Sequence, residues 1–430
     1  MKTNKSAVAI LFASLVIIML GFGIAIPLMP FYIVHFNASG TALGLMMSLY
    51  SFTQFIFAPL WGRFSDRVGR KPVLLIGSLG FAAAFVLQGL AQNLEQFIAV
   101  RILAGMLSSA MLPTAMAYVA DTTSAENRSS GVGMMGAAMG LGMILGPTLG
   151  GFLTHYNPAL PPAISGLLQS TLDPATGDVI NLSIPFFASA ILALTASPLI
   201  FFALPESLSA EKRQHASEQK TNVTRSKAML QSLRGPMGFL FVLAFVLAFA
   251  LANMESVLSL YGKQQFQMGP SQIGLLMGAM GLVAVVQQGV MIGPLTRRFG
   301  EMRIIESGLV IGILGFIGLA LAPTQALLIV SALVFNVGNV LLQPSVTALI
   351  SKQATSGQGE LMGMNNSFQS LGRGVGPLWA GAAFDFYSTL SFWSGAIIQA
   401  GILFATLRIF AKSNLQSSGG VNERNHANVG

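Results

Sequence analysis

Gly62-Arg-Phe-Ser-Asp66-Arg-Val-Gly69-Arg70-Lys-Pro72 is a short charged stretch between two apolar runs, and it returns in altered form as Gly293-Pro-Leu-Thr-Arg-Arg-Phe-Gly300. Gly62 and Gly293 stand 231 residues apart, as do Gly69 and Gly300. Gly77 and Gly308 keep that offset, and so do Pro113 and Pro344; Gly146-Pro147 is answered by Gly376-Pro377 one residue short of it. Chance alignment among 47 glycines would not hold one offset across several kinds of landmark. The chain is therefore read as two related halves, each with a charged loop between its second and third apolar runs.

The runs themselves read as membrane spans. Of 430 residues, 53% are hydrophobic and 9% charged, and the mean hydropathy is +0.68. A soluble domain carries about 25% charged residues. A transmembrane helix needs about 20 mostly apolar residues. Such runs lie near 7–33, 41–62, 72–91, 95–119, 129–153, 183–204, 237–261, 271–293, 302–322, 325–350, 360–383 and 388–411. Barrel strands would instead alternate in polarity over about 10 residues. The expected fold is an all-α membrane protein with twelve transmembrane helices in two six-helix, pseudo-symmetric halves. The halves occupy 1–205 and 237–412, with a polar cytoplasmic linker at 206–236 and a disordered cytoplasmic tail at 413–430. The loop after the fifth span has prolines at 158, 161, 162 and 174 and reads as irregular. Lys2 and Lys5 before an apolar run could mark a secretory signal, but the run is longer than a signal core of about 7–15 residues, so it is read as the first helix.

A net charge of +8 could suggest nucleic acid. The basic residues instead follow the positive-inside rule. With both termini in the cytoplasm, Lys263 alone of the 23 Lys and Arg falls in an outward loop, while Arg101 and Arg373 lie inside spans. The expectation is a multi-pass protein of the cell membrane with no nucleic-acid partner.

The first charged loop meets G-x-x-x-D-R-x-G-R-[RK] at every fixed position, and so resembles the signature of the major facilitator superfamily. In the fifth span, Gly133, Gly142, Gly146, Pro147, Gly150 and Gly151 fit G-x8-G-x3-G-P-x2-G-G. This is similar to the antiporter signature of the drug-efflux branch. With Gly21-Phe-Gly23-Ile-Ala-Ile-Pro27 in the first span, the chain looks like the twelve-span drug:proton antiporters, the NorA-type quinolone pumps and tetracycline exporters. Physically, the small residues mean only that helices approach closely; the antiport meaning comes from the resemblance. The resemblance makes Gly62, Asp66, Arg67, Gly69, Arg70 and Asp121 a cytoplasmic latch that closes in one state and opens in another. The blander reading is a set of surface ion pairs, each contributing about 0–1 kcal/mol. The resemblance also implies a transporter, not an enzyme, exporting amphipathic or cationic compounds in exchange for protons by alternating access. A dedicated exporter of a lipid, sugar or metabolite, or a non-transporting receptor, would share the fold.

Proton coupling needs a titratable group within the membrane. Of 15 Asp and Glu, Glu255 alone sits well inside a span. An intramembrane carboxylate is a functional candidate by default, and NorA-type pumps carry a glutamate at the matching place. Arg101, followed by Gly105, resembles the family's span-four pattern and is the second proton-coupling candidate; otherwise it snorkels to the headgroups. Those pumps also carry an acid in the tenth span. Here that span offers Asn336, Asn339 and Gln343, which share one helical face. Asn366, Gln369 and Arg373 repeat the spacing in the eleventh. Together with Asn253 and Glu255 they are the expected substrate cavity, unless they only bind helix to helix at about 0.6 kcal/mol per hydrogen bond. There is no cysteine, which excludes a disulfide scaffold, and no phosphate-binding loop or HExxH motif. No metal and no cofactor are expected, the driving force being a proton gradient. The expected partners are small amphipathic molecules, protons and lipid, and the protein is expected to act as a monomer.

Overall fold

A computed structural model of the chain describes residues 5–123, 128–158, 161, 165–208, 236–352 and 358–426. Most of the linker lies outside these residues. The first half contains α1 (Ser6–His35), α2 (Gly40–Val68), α3 (Arg70–Gly89) and α4 (Leu94–Thr122). It continues with α5 (Arg128–Leu153) and α6 (Ile184–Ala203). The second half opens with α7 (Pro236–Phe266). The apolar segment Pro270–Leu321 breaks at Gly300, whose φ of 79° is non-helical, and so divides into α8 (270–299) and α9 (301–321). Then come α10 (Gln325–Lys352), α11 (Gln358–Phe386) and α12 (Leu390–His426).

The internal repeat is visible in the backbone. Gly69 separates α2 from α3 at φ 112°, and its counterpart Gly300 separates α8 from α9 at φ 79°. An L-residue with a side chain is strained there. Both charged stretches therefore work as sharp breaks between paired helices.

The halves meet along two symmetry-related helix pairs, α2 with α11 and α5 with α8. At each crossing a glycine faces a proline carbonyl. A Cβ on Gly44 would overlap the Pro377 oxygen, and one on Gly274 would overlap the Pro147 oxygen. Missing side chains thus let two backbones touch, the usual device for close helix approach in lipid. Thr148 Oγ1 donates to the Gly274 carbonyl at 3.2 Å, and Ser271 Oγ donates to the Gly151 carbonyl at 3.1 Å.

Two expectations need correction. The loop after α5 is not wholly irregular: β1 (Ser170–Leu172) pairs antiparallel with β2 (Val179–Asn181). Asp173 Oδ1 accepts the Ala175 N–H at 2.8 Å, an Asx-type turn that fixes the reversal, and β-branched Val179 and Ile180 favour the strand. The backbone of 413–426 is helical as part of α12, where composition had suggested disorder. Extending an existing helix costs far less than nucleating one.

Candidate functional site

A cavity of about 1010 Å³ lies between the halves. Its lining reaches from Glu255 and Leu258 to Ser351 and Met362, which flank the α10–α11 connection on the face of the basic loops. The opposite face is closed across the halves. There the Asp385 carboxylate, in the last turn of α11 and beyond the apolar run 360–383, accepts the N–H groups of Gly40 and Thr41, both at 2.7 Å, and the Thr41 hydroxyl at 2.6 Å. These are the first residues of α2, where unpaired N–H groups and the helix dipole favour an anion. On the symmetry-related side, buried Asp173 of the hairpin packs against Gly269 at the start of α8 and pairs with His155 at 3.1 Å. Burial raises the Asp385 pKa. The Thr41 hydroxyl, the Thr41 and Gly40 N–H groups and the Ser39 side chain outweigh burial and hold the carboxyl below the ordinary carboxylate range.

Glu255 lines the cavity, partly exposed to it. Among the described residues no ion pair within 4.0 Å reaches it. The span-ten stripe Asn336, Asn339 and Gln343 also lines it, and so do Asn366 and Gln369 of α11. Gln288, Asn365 and five methionines (116, 143, 277, 280 and 362) complete much of the wall. Of these, Gln288 is half of a Gln287-Gln288 pair in an apolar run, and Asn365, four residues before Gln369, shares its helical face.

The other candidates are not among its lining residues, although Arg373 interacts electrostatically with Glu255. Asn253 is fully buried and donates to the Ser391 carbonyl at 2.8 Å, tying α7 to α12 instead of lining the cavity. Arg373 is also absent from the lining, and its guanidinium is 3.4 Å from Ser370 Oγ. Arg101 is 6% exposed and lies over the Tyr50 ring at 4.2 Å. Its Nε has no hydrogen-bond partner. Tyr50 in turn contacts Ser108 and Gln54, each at 3.0 Å. This group belongs to the first half alone.

The loop charges form one cluster on the basic face. Arg70 reaches Asp66 at 2.6 Å, Asp121 at 3.0 Å and Ser65 Oγ at 2.6 Å. Glu206, which the sequence offers only as the first charge of the linker, accepts the Arg70 N–H at 2.9 Å and the Lys71 N–H at 3.2 Å, capping the start of α3. The cluster joins α2, α3, α4 and the end of α6, and Asp66 keeps 42% of its side chain exposed. Arg67 is exposed. Gly62 faces open space: a Cβ there would meet nothing within 4 Å.

The glycines of the span-five signature do not all act alike. A Cβ on Gly142 would strike Met19, and one on Gly146 or Gly150 would strike the α1 backbone at Gly23 or Ile24. Gly151 meets Pro270 of α8 in the other half, whereas Gly133 faces open space. Pro147 lines the cavity.

The profile of the Major Facilitator Superfamily matches residues 11–377. Multidrug resistance protein 2 of Bacillus subtilis is 32% identical over 383 residues, 89% of this chain and 90% of that protein. The class C tetracycline resistance protein of Escherichia coli is 29% identical, over 92% of this chain and 93% of its own length. Among solved structures, a bacterial homologue of the human lysosomal transporter Spinster superposes with a TM-score of 0.73 at 14% identity, covering 95% of this chain and 98% of that one.

Proposed function

Because the chain belongs to the major facilitator superfamily, we propose that it exports amphipathic cations across the cell membrane in exchange for protons, by alternating access. The relatives named above, a multidrug and a tetracycline resistance protein, support a transporter. The observation that carries the finer reading is the cavity's charge: Glu255 is its one acidic lining residue, and no Lys, Arg or His lines it among the described residues. An anion partly shielded by the cavity walls attracts a cation, and protonation removes that attraction. Proton and cation therefore compete for one carboxylate, which is the minimum that exchange requires. No bound cofactor enters this scheme; the proton gradient drives it, and a single chain suffices.

In this reading the basic face is cytoplasmic, and the cavity is open to the cytoplasm. Substrate enters past Met362 and Ser351 and displaces the proton from Glu255. The halves then rock about the α2–α11 and α5–α8 crossings, and the Asp385 contact breaks as the outer face opens. Asp66, exposed on the cytoplasmic side, is placed to meet the start of α11 once that side closes. Arg101 acts from the first half as a buried cation that disfavours a second proton nearby.

The test is proton release from proteoliposomes on adding ethidium, for native protein and Glu255→Gln. Native release that vanishes in the variant while dye binding persists supports exchange at Glu255. Unchanged release in the variant moves the proton site elsewhere, and no native response to a broad cation panel removes the cation reading.

A further inference from the structure

The cavity divides its chemistry between the halves. The first half contributes Ile26, Met116, Met143 and Pro147, all apolar; every polar lining residue belongs to the second half. Two amides of that polar wall spend an N–H on the protein. Asn336 donates to the Met280 carbonyl at 2.7 Å, and Asn365 donates to Thr347 Oγ1 at 3.3 Å. Behind them Gln287 donates to the Val337 carbonyl at 2.9 Å. Asn339 Oδ1 and Asn365 Oδ1 are buried without a hydrogen-bond partner, on residues each 2% exposed. An unpaired buried acceptor is a standing cost that a ligand donor removes, and ionised Glu255 adds only further acceptors.

We propose that Asn339 and Asn365 are specificity-determining residues, selecting cations whose nitrogen carries N–H bonds over permanently methylated cations of the same charge and body. The proposal rests on the cation-exchange reading above. Both residues line the cavity. A bare N–H can close to about 2.9 Å, whereas an N-methyl group keeps its nitrogen beyond hydrogen-bond distance and has no proton to give. Sites built to hydrogen-bond a donor reject analogues that lack it far more strongly than apolar walls reject a change of shape. The apolar body rests on Met116 and Met143, whose flexible thioethers accept varied shapes. Those residues set affinity without distinguishing the two head groups.

A matched ligand pair tests this: naphthylmethylammonium and its N,N,N-trimethyl counterpart. Each is titrated calorimetrically against the full chain in lipid nanodiscs near neutral pH, and the readout is the ratio of the two affinities. In Asn339→Leu and in Asn365→Leu the ratio should fall about 10-fold against the ammonium ligand, equivalent to about 1.4 kcal/mol. Trimethyl affinity should stay within about threefold of native, which also reports that the variants are folded. Asn339→Asp keeps the acceptor and should keep the preference, and Met116→Ala should weaken both ligands alike. A native ratio retained by both Leu variants overturns the proposal; the cation reading then survives if both ligands still require Glu255. Failure of both ligands to bind native protein overturns the two together.

Discussion

Asp385→Ala removes one acceptor that serves three hydrogen bonds between the halves: from Gly40 N–H, Thr41 N–H and the Thr41 hydroxyl. Hydrogen bonds to a charged group contribute about 1.5–3 kcal/mol each when sheltered. Asp385 is exposed, so water competes and screens, and about 1–2 kcal/mol for the set is the appropriate scale. In the proposed cycle the contact exists only while the outer face is closed. Its loss should therefore raise the ratio of outward-open to inward-open molecules about 5–30-fold. The absence of cysteine makes the assay clean. Spin labels at Glu95→Cys and Ala326→Cys, both exposed and on the outer ends of different halves, report opening as a longer distance in pulsed dipolar spectroscopy. Thr41→Ala should give a smaller shift in the same direction. The pH dependence has a definite sign. The Asp385 pKa is depressed, so its contribution is complete above the ordinary carboxylate range and is lost only as pH falls through the depressed value. The native distribution should then show no Asp385-linked change between neutral and mildly acidic pH. Identical distance distributions for native, Asp385→Ala and Thr41→Ala would refute the idea that this contact holds the outer face shut.

Arg70→Ala strands Asp121, whose side chain is 19% exposed, and should lower stability by about 2 kcal/mol, seen as an earlier thermal unfolding midpoint; Arg70→Lys should recover only part, having one nitrogen where the guanidinium uses two. Gly146→Val drives a side chain into the Gly23 backbone, whose Cα lies 2.5 Å from the position of a Cβ. It should cost at least about 1–3 kcal/mol, read as lost monodisperse protein in size-exclusion chromatography. Gly133→Ala, with nothing within 4 Å, should leave the elution profile unchanged. Gly300→Ala places a Cβ at φ 79° and should cost about 1–2 kcal/mol, measurable by the same thermal unfolding, with Gly69→Ala behaving likewise.

Much of the architecture could be read in the sequence because the bilayer enforces it. Span length is fixed by membrane thickness, and backbone groups must pair within each span. The constant offset between landmarks survives in three dimensions as matched φ reversals at Gly69 and Gly300 and as matched crossings at Gly44–Pro377 and Gly274–Pro147. The cavity was partly legible. A polar stripe on one helical face names the residues that can line a cavity, and Asn336, Asn339 and Gln343 do. Which way a helix turns that face depends on its neighbours, and this is why Asn253 meets the α12 backbone instead. The contacts of Asp385 and Asp173 join segments far apart in the chain, and Glu206 caps a helix it follows by 136 positions. No local pattern announces such pairings, since each acid reads as an ordinary loop charge.

The glycine-faced crossings have a consequence for how this protein can diversify. Where Gly44 meets Pro377 and Gly274 meets Pro147, any added carbon collides with backbone, and backbone cannot move aside as a side chain can. These positions are closed to change in a way that the methionine-lined wall is not. In the proposed alternating-access cycle, cargo range is then free to drift through the lining while the crossings about which the halves would rock stay fixed. Selection under a new toxic compound should accumulate substitutions at places such as Met116, Met277 or Gln343 and leave the crossings untouched, so that one unchanging hinge serves many successive pockets.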